Sequence, residues 1–263
     1  MCAVLWKTPK LYSMSLKVVI PSHKRWDRVI AKKLFPSPII CVAKSQEEKY
    51  KLFNPECEIV THPDDIVGLI PKRNWMAKHF QDLFMVDDDV FQFKKIYNEK
   101  GEPCNIKDPN EVQRIVEELH ELAEMLDVHL WGYTNRKTPV QYDEQSYLSF
   151  TRQITGCSYG VRYNENTWWN EELKLKEDFW ISCYMKYKER RILTDERYTF
   201  VQKDTFVNSG GLSAIRNHDE ERRSILFMRK AFGEAIQLKG QGSNGREKTI
   251  NKVQYNIITN FKF

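Results

Sequence analysis

Three aspartates stand in a row at the end of an apolar segment. The segment Phe84-Met-Val86 runs directly into Asp87, Asp88 and Asp89. Like charges side by side are costly unless a cation neutralises them, and hard carboxylate oxygens suit Mg²⁺ or Mn²⁺ bound together with a diphosphate. Strand alternation would place Asp87 and Asp89 on one face and Asp88 on the other. The triplet therefore predicts a divalent-metal site; a solvated acidic turn is the alternative.

A second acidic pair lies in the second half of the chain. Glu177 and Asp178 are adjacent, so on a helix their side chains point about 100° apart and only one is expected to face a crevice. A carboxylate in such a place can accept the proton of a substrate hydroxyl. The alternative is a solvated helix start beside Lys174 and Lys176.

The elements that must position these residues alternate between strand and helix. Strands are predicted at 16–21, 38–43, 58–61 and 83–86, and helices at 45–53 and at about 71–80. A capping box of Ser45 and Glu48 is expected to open the first helix. This order indicates a parallel sheet with crossover helices, which binds ligands beyond the carboxyl ends of its strands. Segments 21–25, 62–65 and 87–89 follow strands, so they are predicted to converge on one crevice.

The second half is rich in aromatic residues and less regular. Apolar residues spaced three and four apart predict an amphipathic helix over 109–127, and a further helix is expected at 176–188. A glycine-rich segment after Gly240 indicates a loop, followed by a basic, strand-like end at 253–263.

Composition limits the class of protein. Of the 263 residues, 41% are hydrophobic and 29% are charged, which excludes a disordered chain and a multi-span membrane protein. No apolar run approaches the ~20 residues of a membrane helix, and the first apolar segment is too short for a secretory signal. The six cysteines form no CxxC pair, so free thiols and a cytoplasmic location are predicted. The net charge of +5 fits either an ordinary surface or a polyanionic partner.

Three segments, taken in order, resemble a known fold family. The strand end Val19–Arg25, the pair Arg73-Asn74 and the acidic strand end Phe84–Asp89 resemble the nucleotide-sugar half of a GT-A glycosyltransferase over about residues 16–97. The later segments 175–179, 208–211, Arg216 and Phe232-Gly233 follow in an order similar to that of the TET-associated glycosyltransferases. These are largely phage-encoded, resemble the glucosyltransferases of base J synthesis, and transfer sugars to hydroxymethylated bases in DNA.

The resemblance implies one GT-A domain over residues 1–263. Its fold would be α/β and Rossmann-like, with a mixed, mainly parallel sheet flanked by helices. Residues 16–97 would form the nucleotide-sugar-binding half, and residues 98–263 the acceptor-binding half with a basic C-terminal tail.

Metal and catalytic roles also follow from the resemblance. Asp87 and Asp89 would hold Mn²⁺ or Mg²⁺, and His218 is a candidate third ligand, with a surface histidine as the alternative. If the reaction inverts, Asp178 is the first choice for the base and Glu177 the second.

The remaining assignments concern the UDP-sugar donor. Arg73 would steady it, the alternative being an ion pair with Asp64, Asp65 or Asp87. Further donor-binding candidates lie at strand ends and in a later glycine pair, namely Pro21, Lys24, Arg25, Asp65, Asp88, Gly210 and Gly211. Asp65 has a helix-cap alternative, and the glycine pair is equally suited to a turn.

A DNA acceptor needs cations for its phosphates. The candidates are Arg216, Arg222, Arg223, Arg229, Lys230, Arg246, Lys248 and Lys252. For Arg222 and Arg223, helical pairing with the acidic run 219–221 is an equal explanation. Aromatics near Tyr159 and Trp168-Trp169 could stack on a flipped base, or belong to the core.

The predicted function is metal-dependent transfer of a sugar from a UDP-sugar to the hydroxyl of a hydroxymethylated base, such as 5-hydroxymethylcytosine, in DNA. Two alternatives stay open. One is a GT-A transferase acting on a glycan, protein or small-molecule hydroxyl. The other is a non-catalytic nucleic-acid-binding protein on the same fold.

Overall fold

Strands and helices alternate along the first half of the chain. The computed structural model describes residues 16–135, 142–154, 156–203, 217–238, 249–250, 254–255 and 257–259. The strands in chain order are β1 (Lys17–Pro21), β2 (Ile39–Ala43), β3 (Glu58–His62), β4 (Asp82–Val86), β5 (Val90–Lys95), β6 (Cys104–Ile106), β7 (Leu130–Tyr133), β8 (Leu148–Ser149), β9 (Ser158–Arg162), β10 (Leu193–Asp195), β11 (Tyr198–Gln202), β12 (Ile236–Leu238), β13 (Thr249–Ile250), β14 (Gln254–Tyr255) and β15 (Ile257–Thr259). The helices are α1 (Glu47–Phe53), α2 (Leu69–Phe80), α3 (Pro109–Met125), α4 (Glu177–Glu189) and α5 (His218–Phe232).

Eight of the described strands form one mixed sheet in the order β3-β2-β1-β4-β9-β7-β10-β8. β1 pairs in parallel with β2 and β4, β2 with β3, and β7 with β10, whereas β9 runs antiparallel between β4 and β7. The predicted mixed, mainly parallel sheet flanked by helices is therefore confirmed.

The central strands carry no polar face, because helices cover both sides of the sheet. β2 is buried over its whole length, and in β1 and β4 only the first residue is not buried. One layer of buried side chains packs toward α3 and the other toward α2 and α4. Strands buried on both faces form continuous apolar runs, which is why the sequence located them.

The start of α1 differs from the prediction. The expected capping box is wrong: Gln46 stands at the N-cap without a side-chain capping bond. Ser45 instead binds Asp64, which accepts from the Ser45 amide at 2.9 Å and from its hydroxyl at 2.7 Å. A serine hydroxyl can bond to any donor or acceptor within reach. Here it donates to Asp64, just after β3, instead of capping the first turn of α1.

A second, three-stranded antiparallel sheet has the order β11-β5-β6. β5 begins directly after the acidic triplet, and its first residue, Val90, pairs with Gln202 at the end of β11. Phe93 and Phe200 face each other across these two strands with ring centroids 4.3 Å apart. This small sheet therefore fixes the far side of the triplet.

The described cysteines Cys41, Cys57, Cys104, Cys157 and Cys183 are free, in agreement with the sequence prediction; Cys2 lies outside the described residues. Among the described helices, none is both long and apolar enough to span a bilayer. The predicted strand-like end is seen in part, as the short strands β14 and β15.

Candidate active site

The acidic triplet lies in the turn between β4 and β5. The turn is closed by the Val90 amide, which donates to the Asp87 carbonyl at 3.2 Å, and the Asp87 amide donates to the Cys157 carbonyl of the neighbouring strand connection at 2.8 Å. Asp87 and Asp89 share one partner, while Asp88 points toward the loop after β1. The expected division of the three side chains is thus observed, although a turn produces it rather than an extended strand.

Gln202 joins the two carboxylates that share a side. Its Nε2 donates to Asp87 Oδ2 at 3.2 Å and to Asp89 Oδ1 at 3.1 Å. The next residue along the chain reinforces the contact, because the Lys203 amide donates to the Asp89 carbonyl at 3.0 Å. Gln202 is separated from Asp87 by 115 positions, and no local pattern in the sequence marks it.

Asp88 fastens the loop that follows β1. Its carboxylate accepts from the Ser22 hydroxyl at 2.5 Å and from Arg25 Nη1 at 2.7 Å. Tyr50 of α1 continues this chain of bonds: its hydroxyl donates to Ser22 Oγ at 2.7 Å and accepts from the Arg25 amide at 3.0 Å. Asp88 therefore positions the loop that the sequence assigned to donor binding.

Arg73 connects the triplet with the second acidic pair. Its side chain is 1% exposed, and Nη1 donates to the Tyr159 hydroxyl at 2.6 Å. Nη2 lies 3.2 Å from Asp87 Oδ1 and 3.5 Å from Glu177 Oε1. Of the two interpretations of Arg73, the structure shows the ion pair with Asp87. Such a buried guanidinium holds carboxylates in place through its rigid donor fork.

Glu177 and Asp178 both lie in the first turn of α4, each with a different partner. Glu177 is buried and pairs with Arg73. Asp178 accepts from the Gly156 amide and from the Phe179 amide, both at 2.9 Å. Burial, followed by the charge of Glu177, raises the pKa of Asp178 to about 6. A carboxylate with such a pKa is suited to accept a proton near neutral pH.

More negative than positive side chains surround Asp87. Burial raises the pKa of Asp87 to about 8; Arg73 opposes this rise, and Asp89 and Glu177 add to it. Burial also raises the pKa of Asp89, with Asp88 contributing. Low-dielectric surroundings and neighbouring carboxylates both disfavour the ionised form.

The donor set fits a hard divalent cation in part. Asp87 and Asp89 present carboxylate oxygens to one shared point, and these are ligands that Mg²⁺ and Mn²⁺ prefer. No three Asp, Glu, His or Cys side chains of the described residues lie close enough together to hold a metal. His218, the expected third ligand, is exposed at the first residue of α5 and does not complete such a group in this structure.

The loop after β1 contacts the triplet, as expected, through Ser22 and Arg25, and the Ser22 amide donates to the Cys41 carbonyl of β2. Pro21 is buried at the end of β1, opposite Cys41 of β2. Lys24 is exposed with φ at 55°, and its amide donates to the Gln46 side chain at 2.7 Å. Lys24 thus turns its ammonium outward, whereas the Arg25 guanidinium faces the triplet.

Lys72 was not anticipated. Its ammonium is buried and donates to the Ser22 carbonyl at 2.8 Å. Burial lowers its pKa, against the opposing charges of Cys41 and Asp88. The helical spacing of α2 showed only that Lys72 adjoins Arg73; its burial depends on how α2 packs against the ends of β1 and β2.

Asp65 lies apart from the triplet. It lines an open depression of about 390 Å³ along the outer side of α2, together with Pro71, Asn74 and Trp75. Its role in donor binding therefore stays a prediction. Gly210 and Gly211 lie outside the described residues.

The basic candidates divide into two groups. Arg222 and Arg223 are exposed on α5, and Arg223 Nη1 lies 3.9 Å from Glu220 Oε2, a distance at which an exposed pair contributes little. Arg216, Arg246 and Lys248 lie outside the described residues. Arg229 and Lys230 are also exposed on α5, and Lys252 lies outside the described residues.

Two of the aromatic residues considered for base stacking are core residues. Tyr159 and Trp169 are fully buried, and the Tyr159 hydroxyl accepts a hydrogen bond from Arg73. Trp168 is 41% exposed and lies edge-on to Trp180, with ring centroids 5.7 Å apart. Tyr159 and Trp169 pack in the apolar core beside α4. Their burial excludes these two rings from stacking on a base.

Comparison with known proteins gives one decisive match. The family model described as TET-Associated Glycosyltransferase matches residues 16–211. A search of curated proteins finds no match. Among solved structures, TarS 1–349 of S. aureus in complex with UDP-GlcNAc is similar at 12% identity, with a TM-score of 0.47, over 82% of this chain and 67% of that one.

Two further solved structures show the same limited similarity. A second structure of TarS 1–349 of S. aureus is 11% identical, with a TM-score of 0.47, over 82% of this chain and 66% of that one. GalNAc-T7 with UDP, GalNAc and Mn²⁺ is 12% identical, with a TM-score of 0.40, over 88% of this chain and 52% of that one.

The family match covers most of the chain, including both acidic motifs, Arg73 and the loop after β1. It confirms the enzyme class that the resemblance of these motifs to a known family implied. The chain belongs to the TET-associated glycosyltransferase family.

Proposed function

We propose that this glycosyltransferase moves a sugar from a UDP-sugar to the hydroxyl of a hydroxymethylated base in DNA, with Mn²⁺ or Mg²⁺ bound at Asp87 and Asp89. The observation that carries the proposal is the continuous network of Asp87, Arg73 and Glu177, next to Asp178. It joins an anion-rich turn suited to a metal with a carboxylate suited to accept a proton.

The chain's own residues supply three functions. Asp87 and Asp89 would hold the cation, which when bound would neutralise the charge that develops on the leaving diphosphate. The loop held by Asp88 brings Arg25 to the same place, where a guanidinium adds to that stabilisation. Lys24 and Pro21 belong to this loop and are proposed to contact the donor.

Asp178 is proposed as the base. Glu177 is already paired with Arg73, so it is less available for proton transfer. Both oxygens of Asp178 face backbone amides, which orient the carboxylate, while the side chain remains partly exposed. In an inverting reaction, the hydroxymethyl oxygen of the nucleobase would attack the anomeric carbon as the diphosphate leaves. Asp178 would take the proton from that hydroxyl.

DNA as the acceptor is supported by the family name and by the exposed cations of α5. Arg222, Arg223, Arg229 and Lys230 lie along the outer side of this helix. Phosphate contacts position a duplex without reading its sequence. A cytoplasmic location is proposed with it, since the described cysteines are free thiols.

The test compares duplex DNA containing 5-hydroxymethylcytosine with the same duplex containing cytosine. Each is incubated with the protein, Mn²⁺ and single UDP-sugars, digested to nucleosides and analysed by mass spectrometry. We expect a sugar on the hydroxymethylated base only, and its loss with EDTA and in Asp87→Asn. Release of UDP without a sugar on any base would reject DNA as the acceptor and favour a glycan, protein or small-molecule hydroxyl.

A further inference from the structure

We propose that Gln202 is the third protein ligand of the divalent cation, through its side-chain carbonyl oxygen. This inference rests on the proposed metal dependence. It assigns a role to a residue outside the sequence motifs and answers why the described acidic and histidine side chains supply only two ligands.

The position of Gln202 is the first argument. One atom of its amide group lies 3.2 Å from Asp87 Oδ2 and 3.1 Å from Asp89 Oδ1. A cation that is shared by these two carboxylates must lie between the same two oxygens. The Nε2 atom of Gln202 therefore stands in for that cation between the two carboxylates, and the rest of its amide group lies within reach of the same point.

The scaffold that holds this amide is the second argument. The pairing of β11 with β5 changes register between Val201 and Gln202, and Gln202 then faces Val90. A register change of this kind re-aims a side chain at a strand end. The Lys203 amide donates to the Asp89 carbonyl, so the backbone at the end of the acidic turn, at Asp89 and Val90, is tied to the segment that carries Gln202.

The chemistry of a carboxamide is the third argument. It carries a donor and an acceptor end on one carbon, and rotation about the last side-chain bond exchanges them. Without a cation, the NH₂ end neutralises the two carboxylates. With a cation, the NH₂ end is repelled and the carbonyl oxygen, a ligand that hard divalent ions accept, is turned toward the metal.

Arg25 is a described side chain that also lies beside Asp89, and it carries a positive charge. Its Nη1 is committed to Asp88 at 2.7 Å and lies 3.9 Å from Asp89 Oδ2. A guanidinium has no acceptor, so it cannot take the place that we assign to Gln202.

The test uses the variant Gln202→Met, in which a soft thioether of similar length replaces the hard oxygen. Mn²⁺ binding to the full chain is measured at saturating UDP by the relaxation enhancement of water protons, and Cd²⁺ is titrated in competition. We expect Mn²⁺ affinity to fall by about tenfold or more, and the preference for Cd²⁺ over Mn²⁺ to rise, since soft ligands select softer metals. Circular dichroism confirms folding.

The matched control is Gln92→Met, which changes a glutamine on the adjoining strand β5 and should leave both affinities unchanged. If Gln202 only spaced the carboxylates, Gln202→Met would alter both metals alike, and the proposal would be rejected. Unchanged Mn²⁺ binding would reject it as well.

The variant Asp87→Asn separates this inference from the function proposed above. If wild-type protein binds Mn²⁺, Asp87→Asn does not, and Gln202→Met keeps the wild-type preference, only the role of Gln202 is wrong. If wild-type protein binds no Mn²⁺, the proposed metal dependence fails together with the inference, while transfer to DNA can still be measured.

Discussion

Arg73 is the side chain on which the two acidic motifs depend. It is buried, and its guanidinium contacts Tyr159, Asp87 and Glu177 at once. A buried charge is tolerated only when oppositely charged and hydrogen-bonding groups surround it. Removing one member of such a group leaves the others buried and unpaired. We therefore propose that Arg73 positions Asp87 and Glu177; its contact with the donor stays a prediction.

Replacing Arg73 with methionine tests this role. We expect the free energy of unfolding to fall by about 2–4 kcal/mol. This loss is smaller than for an ion pair that is buried on both sides, because 26% of the Asp87 side chain is exposed to solvent. Urea denaturation measures the change. The control Arg114→Met removes an exposed i,i+4 pair with Glu118 and should shift stability by less than about 0.5 kcal/mol. Equal effects of both variants would contradict the positioning role.

The pKa of Asp178 makes a prediction about pH. Its folded value, about 6, lies above the usual 3.8 because of burial and Glu177. The base must be ionised to accept a proton, so kcat/KM should rise with pH through about 6 and level off above it. In Asp178→Asn that limb should vanish and the rate should fall by about 10²–10⁴. A wild-type profile that stays flat between pH 5 and 7 would exclude Asp178 as the base.

At the scale of elements, β9 is the strand that joins the two halves of the sheet. It runs between β4 and β7 and carries Tyr159 to Arg73. Gly160 lies opposite both Phe84 and Trp131, and a Cβ atom there would lie 1.9 Å from the Trp131 ring. The absence of a side chain at Gly160 is therefore what lets Trp131 lie across β9.

Gly160→Ala should consequently destabilise the protein. Overpacking against a fully buried ring costs about 1–3 kcal/mol or more, measurable by urea or thermal unfolding. Gly132→Ala is the graded comparison, since its Cβ would meet Ile154 and Tyr159 at 3.3 Å, a contact that a small shift relieves. A Gly160 variant as stable as the Gly132 variant would show that β9 does not depend on this close approach.

At the scale of the whole molecule, the net charge of +5 can now be resolved into groups. Arg73 and Lys72 are buried and hold the site together, while Arg25 pairs with the triplet. The outward cations of α5 are separate from these. Of these groups, the α5 cations are the ones that we propose for contact with a DNA backbone.

The double variant Arg222→Ala, Arg223→Ala tests that assignment. The slope of log K against log salt is negative, and each lost phosphate contact reduces its magnitude by about 0.9. The double variant should therefore reduce the magnitude by about 2 and weaken binding to any duplex sequence. Fluorescence anisotropy at several salt concentrations measures this. Lys100→Ala, Lys107→Ala removes two exposed charges around β6 and serves as the control. Identical slopes for the two double variants would place the DNA elsewhere.

The sequence by itself located the central strands, the main helices and the two acidic motifs. Burial on both faces makes β1, β2 and β4 continuous apolar runs, and the amphipathic period did the same for α3. Their order was enough to predict a parallel sheet, because these signals depend on residues that are close in sequence. The mixed sheet and the glycosyltransferase activity were implied by the resemblance of the motifs to a known family.

Only the tertiary structure decided which side chains meet. Gln202 reaches Asp87 across 115 positions, and Tyr159 reaches Arg73 across 86; no periodicity records such a contact. Ser45 donates to Asp64 instead of capping α1, and Arg73 pairs with Asp87 and Glu177. The physical reason is that a buried polar group takes whichever partner packing brings within hydrogen-bond distance, and packing depends on the arrangement of the whole sheet.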